Sequence, residues 1–221
     1  AGSSAIITAT MRALMAYFGV QITKPILANL ILSVETEELG IGAGLQDRVI
    51  QVYEGAVYMD FDQQRMAEQG YGDYQSVDAN KLPPLFVAYH DNLSEGTEVV
   101  HNDLRSRWNR GDEQVVEAMK QFAGFAEQAY ELIQADRGSE IGPLMDENFD
   151  LRAKLTQISS GNQQLVRIGR DHGAAVKFAG SGGAVIGCYD GDPQRLQNMR
   201  QAYEDMGAVL IEPKIAEPQN L

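Results

Sequence analysis

Residues 1–18 read AGSSAIITATMRALMAYF, a glycine and two serines leading directly into an apolar-periodic run. Ile6, Ile7, Met11, Leu14, Met15 and Phe18 recur at helical spacing, which predicts a helix from Ser3 with Gly2, Ser3 and Ser4 at its positive end. Small residues at that position let backbone N–H groups approach an anion closely, so the stretch has the composition of a phosphate-binding turn. A serine at a helix start is also an ordinary cap, worth about 1 kcal/mol, and the stretch alone leaves both readings open. A phosphate-binding turn normally follows a strand, and none precedes this one. The chain is therefore expected to be the back part of a longer protein.

Composition narrows the possibilities. With 221 residues, 44% of them hydrophobic, the chain has room for one large domain or two small ones with an ordinary core. Eighteen basic residues against 31 acidic ones give a formal charge of -13 and no evident basic stripe, which argues against a nucleic-acid partner. Any phosphate bound here must then be held by local backbone dipoles and a metal. The longest apolar stretches, such as ILANLILSV at 26–34, fall short of the roughly 20 residues needed to span a membrane, so no membrane partner is expected. The first residues lack a secretory pattern, and the single cysteine, Cys188, excludes an intramolecular disulfide and suits a cytoplasmic, reducing compartment.

Further along, Pro25 suits the first turn of a second helix that carries Ile26, Leu27, Leu30, Ile31 and Val34 and runs into the acidic ETEE at 35–38. Gly40, Gly42 and Gly44 follow, then a short apolar helix around Val49 to Tyr53, a turn at Gly55 and a strand in AVYMDF. Asp62 to Leu82 is polar without clear periodicity and reads as a connection ending at Pro83-Pro84, the candidate domain boundary. Beyond it LFVAYH reads as a strand and NLSEGTE as a loop. Two helices are expected between Val99 and Arg137, interrupted near Gly111, and further helices at 142–155 and 162–171. The end reads as strand AAVKFA, turn GSGG, strand AVIGCY, a helix from Pro193 to Met206 and strand AVLIEP. Strands with helices packed against them imply an α+β sandwich.

The glycine-rich turns fit neither standard nucleotide fingerprint. GSGGAV has Gly180 and Gly182 but Val185 where a dinucleotide motif takes glycine or alanine, and no turn ends in the Lys-Ser/Thr of a P-loop. Their order is more specific: GSSA opening a helix, an acid twelve residues before the aspartate of GLQD, then KFAGSGGAVIG near the C-terminus. In this the chain resembles the GHMP kinases, the superfamily of galactokinase, homoserine kinase, mevalonate kinase and phosphomevalonate kinase. AGSSAIITATMRAL, ELGIGAGLQDRVIQVYEGAVYMDF, LPPLFVAYHDN and KFAGSGGAV are most similar in wording to its glucuronokinase branch, and the resemblance runs from Ala1 to about Pro213.

That resemblance implies a two-domain α+β fold: residues 1–84 as part of a ribosomal-protein-type, ATP- and magnesium-binding domain, and residues 85–221 as a ferredoxin-like sandwich. It implies an ATP- and Mg2+-dependent kinase that phosphorylates the anomeric hydroxyl of a sugar acid, glucuronate, to glucuronate 1-phosphate. Galactose, fucose, arabinose or a heptose phosphate as substrate, or a non-catalytic sugar sensor, are the alternatives. Gly2, Ser3 and Ser4 would wrap the triphosphate, with the Ser4 hydroxyl also a magnesium ligand. Glu35 matches the magnesium-binding acid, although a one-residue gap would transfer that role to Glu37 or Glu38. Asp47 matches the aspartate that takes or orients the proton of the attacking hydroxyl; outside the resemblance it reads equally well as a helix cap. Gly180, Ser181, Gly182 and Gly183 match a third motif lying close to the phosphates, with Ser181 where glycine or alanine is usual. The family's phosphate motif begins before the first residue here. The chain is accordingly expected to expose apolar positions on the Ile6 and Leu27 helices, to associate nonspecifically and to be a poor enzyme alone.

Other features read as structural. Arg48 could pair with Asp47 or with a substrate carboxylate. Alternation makes Lys177 as much an exposed strand residue as a phosphate contact. His90, His101 and His172 show no metal spacing, while Val115, Met119, Phe122 and Phe125 form a packing stripe and Cys188 a buried strand position.

Overall fold

Apolar residues at i, i+4 and i+8 of the first helix, Ile7, Met11 and Met15, pack against a core of Leu27, Ala28, Ile31, Val49, Val52 and Tyr74. The structure, a computed structural model, describes residues 2–93 and 104–215. It divides into two compact units, Ala1–Ala79 with Ile215–Leu221, and Asn80–Lys214. The first unit contains α1 (Gly2–Phe18), α2 (Lys24–Ser33), α3 (Leu45–Tyr53), α4 (Gln63–Gln69) and an antiparallel pair, β1 (Ala56–Asp60) and β2 (Asp73–Val77). The apolar stripe of α1 is split between two faces, because Ile6, Leu14 and Phe18 stay exposed while Ile7, Met11 and Met15 are packed. On α2 the same division leaves Ile26 and Leu30 exposed and buries Leu27 to 2% exposure. Bare apolar positions were expected on both helices; Ile6 is one, and Leu27 belongs to the core.

The stretch expected to be a polar connection, Asp62 to Leu82, contains α4, β2 and a 3-10 turn at Ala79–Lys81. Asp62 caps α4 by accepting the Arg65 N–H at 2.9 Å, and Gly70 ends that helix at φ 79°, a left-handed position that glycine adopts without steric cost. β2 then pairs with β1 in a register that sets Met59 opposite Tyr74. Helix α4 buries no residue and β2 buries only Tyr74, so neither carries the apolar period by which such elements are read.

The second unit begins with β3 (Leu85–Tyr89). After a helical segment at 104–109 and Gly111 at φ 72° come α5 (Glu113–Gln134), α6 (Gly142–Leu155), α7 (Ser160–Asp171), β4 (Ala175–Phe178), β5 (Ala184–Cys188), α8 (Pro193–Asp205) and β6 (Val209–Ile211). The loop and helix start expected around 94–103, with His101, lie outside the described residues. The four strands form an antiparallel sheet in the order β4-β5-β3-β6, the strand order of a ferredoxin-like sandwich. Alternation decides which face is buried: Phe86, Ala88, Val176, Phe178, Val185 and Leu210 meet Leu165, Val166, Met199 and Tyr203 of α7 and α8. The Tyr203 hydroxyl, buried with them, donates to the Leu165 carbonyl at 2.8 Å, which satisfies the one polar atom its ring brings into the core.

Helix α6 covers the outer edge of β4. The Val176 N–H, directed away from the sheet, donates to Asp146 Oδ1 at 2.9 Å, and Arg170 binds the same oxygen at 2.8 Å. An edge strand is thereby closed to pairing with another chain. No helix among the described residues is long and apolar enough to cross a membrane.

Gly187 measures how tightly the sheet face is filled, because a Cβ there would stand 2.4 Å from Phe86 Cε1. Gly187→Ala should cost about 1–3 kcal/mol by overpacking, read as a lowered urea midpoint with an unchanged slope.

Candidate active site

The start of α1, the end of α2 and the start of α3 converge in the first unit. Gly2 is the first, exposed residue of α1; Ser3 is half-buried and Ser4 fully buried. α2 continues into a single π turn, Val34–Glu38, closed by the Leu39 N–H donating to the Val34 carbonyl at 3.1 Å. Such a widened turn is rare and is frequently found at functional sites. It rotates Glu35 inward to zero exposure and leaves Glu37 and Glu38 on the surface. Of the three acids between which the sequence left the choice open, Glu35 is the one that meets the α1 turn.

Glu35 is held from two sides. The Ser3 hydroxyl donates to its Oε1 at 2.6 Å, and Arg48 Nε donates to its Oε2. The Arg48 side chain is itself only 6% exposed, and its Nη1 reaches the Gly44 carbonyl at 2.9 Å and, less closely, Asp47 Oδ2 at 3.4 Å. The Arg48 hydrogen bond is the main cause of a Glu35 pKa below the ordinary carboxylate value; burial opposes it, and the Ser3 bond and the Arg48 charge reinforce it. Ser3 thus meets Glu35 directly, and Ser4, fully buried beside it, has its carbonyl accepting the Thr8 hydroxyl at 2.7 Å.

Asp47 stands in the first turn of α3, whose N-cap is Gly44. It is therefore not the cap that an isolated reading allowed. Its carboxylate favours the positive end of α3 and is 51% exposed, so it can meet a solute. Arg48 was missed as a central residue: the sequence left it between Asp47 and a ligand, whereas its main partner is Glu35. A signal was present, since Arg48 lies on the stripe of Val49 and Val52 that α3 buries, where an arginine needs a buried counter-charge.

Ser3 Oγ and Glu35 Oε1 are two hard oxygens at hydrogen-bonding separation, a donor pair that suits magnesium. Among the described residues no group of three or more His, Cys, Asp or Glu side chains could hold a metal, so such an ion would complete its shell with phosphate oxygens and water.

In the second unit, Gly180–Gly183 connect β4 to β5, and the Ala179 N–H closes the turn on the Ala184 carbonyl at 3.0 Å. Gly182 at φ 148° and Gly183 at φ 75° take backbone conformations that favour glycine. Lys177 is half-buried: its Nζ donates to the Phe178 carbonyl at 3.0 Å, and burial, with Arg152 nearby, lowers its pKa.

Residues 1–55 match the GHMP kinases N terminal domain. That first segment belongs to the GHMP kinases. A protein from Arabidopsis thaliana named glucuronokinase 1 is 38% identical over 97% of this chain, which spans 60% of that protein's length. Among solved structures, the Lin0012 protein of Listeria innocua aligns over 96% of this chain and 65% of its own at a TM-score of 0.79 with 16% identity. Lactococcus lactis galactokinase complexed with galactose aligns over 98% of this chain and 66% of its own at 0.74 with 13% identity. These two likenesses are of fold. Such agreement at low identity confirms the α+β GHMP kinase architecture.

Removing one member of the Glu35–Arg48 pair strands the other charge in a buried place, so Arg48→Gln should destabilise by about 3–5 kcal/mol. The Glu35→Gln/Arg48→Gln double variant should recover part of that loss, measured by denaturant unfolding. Because the folded Glu35 pKa lies below its unfolded value, the stabilisation is complete above the unfolded value and is lost as pH falls through the folded one. An acid titration of unfolding free energy should show that loss in the parent and a smaller one in Glu35→Gln.

Proposed function

We propose that the protein transfers the terminal phosphoryl group of Mg-ATP to the anomeric hydroxyl of glucuronate, giving glucuronate 1-phosphate and ADP. The observation that carries this reading is the contact of Ser3 with buried Glu35, one residue of α3 away from half-exposed Asp47 through Arg48. The similarity to a protein named glucuronokinase supports the sugar.

Each residue then has a physical task. The first amides of α1, at Gly2, Ser3 and Ser4, face a phosphate with the positive end of the helix behind them. Ser3 and Glu35 would hold magnesium, with Ser4 supporting the turn; the ion would offset phosphate charge. Arg48 keeps Glu35 ionised and limits the net negative charge where the nucleotide must approach. Asp47 accepts the proton of the sugar hydroxyl as its oxygen bonds to the γ-phosphorus and the bond from that phosphorus to the bridging oxygen of ADP breaks. Little else is required, because phosphoryl transfer depends mostly on positioning and electrostatics. We assign nucleotide and metal handling to the first unit and take the second as the sandwich, with Gly180, Ser181, Gly182 and Gly183 as an anion-contacting turn of that unit. A cytoplasmic setting accords with the single, buried Cys188.

In the full-length protein, Asp47→Asn should lower kcat by about 10²–10⁴-fold with a nearly unchanged sugar KM. ADP release should be confined to glucuronate in a panel with galacturonate, galactose, fucose and arabinose. Turnover on a neutral sugar alone overturns the substrate. Tight sugar and nucleotide binding without ADP formation would instead identify a sensor.

A further inference from the structure

Helix α1 carries Ser4, Thr8 and Arg12 four residues apart, so these polar side chains line one face of a largely apolar helix. The line meets α3. Thr8 Oγ1 stands 3.4 Å from Gln51 Oε1. Arg12 donates from Nη1 to Glu54 Oε1 at 2.7 Å and from Nη2 to the Gln51 and Val52 carbonyls at 3.2 and 3.3 Å. Carbonyls in a helix's last turn have no donor further along that helix, and a cation there also favours the negative end of the dipole. Arg12 Nε is buried and finds no hydrogen-bond partner among the described residues. An unpaired buried donor is costly, so the guanidinium is held by what its two Nη groups bind.

The residue that ends α3 is unusual. Glu54 stands at φ 64°, a backbone region that residues other than glycine seldom occupy. Such a conformation persists where its surroundings over-determine it, and the Arg12 ion pair is one of those restraints. α3 is therefore tied to α1 near both ends. At its start Arg48 binds Glu35, which also accepts the Ser3 hydroxyl; at its end Arg12 binds the last turn. Ser3 and Arg12 lie about 14 Å apart along α1. A helix fixed at one point can pivot, whereas one fixed at two well-separated points keeps its register. The Asp47 carboxylate is 3.4 Å from Arg48 Nη1, a weak contact, so its position follows from that of the α3 backbone.

We propose that Arg12 is a positioning residue: by holding the end of α3 against α1, it fixes where Asp47 stands relative to the Ser3–Glu35 contact. The inference rests on the kinase reading above, in which Asp47 accepts the proton of the attacking hydroxyl. Misplacing a reacting group by about 1 Å can cost about 10²-fold in rate. Lysine cannot replace Arg12 fully, since one ammonium does not span a carboxylate and two carbonyls as the guanidinium fork does.

The test uses the full-length protein with Arg12→Gln and Arg12→Lys, each also in an Asp47→Asn background, and Asp62→Ala as a control. Asp62→Ala removes the cap of α4 elsewhere in the same unit, a loss of stability that leaves the α1–α3 contacts in place. For each variant kcat, KM for ATP and for glucuronate, unfolding midpoint and amide hydrogen exchange along α3 are measured. Arg12→Gln should lower kcat by about tenfold or more, with both KM values within about twofold of the parent. Arg12→Lys should lose less, and Asp62→Ala should keep the parent's kcat. In the Asp47→Asn background Arg12→Gln should cost less than about twofold further, because residues that act as a unit are not additive. A general loss of folding would lower both backgrounds alike. A smaller effect on kcat in the parent background, or one undiminished in the Asp47→Asn background, overturns the proposal. Should Arg12→Gln not fold, Arg12→Lys decides in the same way, a kcat loss that vanishes in the Asp47→Asn background supporting the proposal and no loss overturning it. If the parent releases no ADP with any sugar, the kinase reading fails separately. Exchange then decides: faster exchange along α3 in Arg12→Gln than in Asp62→Ala supports the placement, and equal exchange overturns it.

Discussion

The buried pair of Glu35 and Arg48 is the constraint around which the first unit is arranged. Two charges removed from water are tolerated only when they meet with good geometry and their remaining polar atoms find partners. Glu35 meets that condition through Ser3, and Arg48 through the Gly44 carbonyl. One interaction consequently ties the first turn of α1, the π turn after α2 and the first turn of α3. The π turn is the local cost of this arrangement, since without it the acidic run would continue along the surface. The same pair neutralises two buried charges beside the α1 turn, while Asp47, next to Arg48 in α3, stays half-exposed.

The second unit solves a different problem. Its antiparallel sheet, packed on one face by α7 and α8, produces a short connection between β4 and β5 at the sheet margin. Four residues with three glycines would be a loose connection if left alone. Contacts from α6, α7 and the end of β3 hold it in one conformation. In both units an arginine restrains a glycine-containing segment: Arg48 binds the Gly44 carbonyl in one, and Arg152 the Gly180 and Ser181 carbonyls in the other.

Much of this was legible beforehand where a period or a motif existed. The strands of the sandwich showed in the alternation of LFVAYH, AAVKFA and AVIGCY, and the helices at 142–155 and 162–171 in their apolar stripes. The expected site residues rest on the order and spacing of the glycine turns and acids, and of these the structure brings Ser3 and Glu35 into contact. α4 and β2 were invisible because they bury almost nothing, and what fixes them is a cap and a cross-strand partner. The bracing side chains were invisible for another reason: Arg48 acts across 13 residues, Arg152 across 28 and Asn162 across 21, so no local window contains both partners. Gly187 belongs with them, a strand glycine whose reason is the ring of Phe86 on the neighbouring strand.

Phosphorus-31 NMR of a reaction of the full-length protein with Mg-ATP and glucuronate examines the central claim most directly. The account predicts that the γ-phosphate resonance is replaced, as ADP accumulates, by one anomeric phosphate monoester coupled to the sugar's C1 proton. Appearance of inorganic phosphate alone, or of an ester at a non-anomeric position, would contradict it.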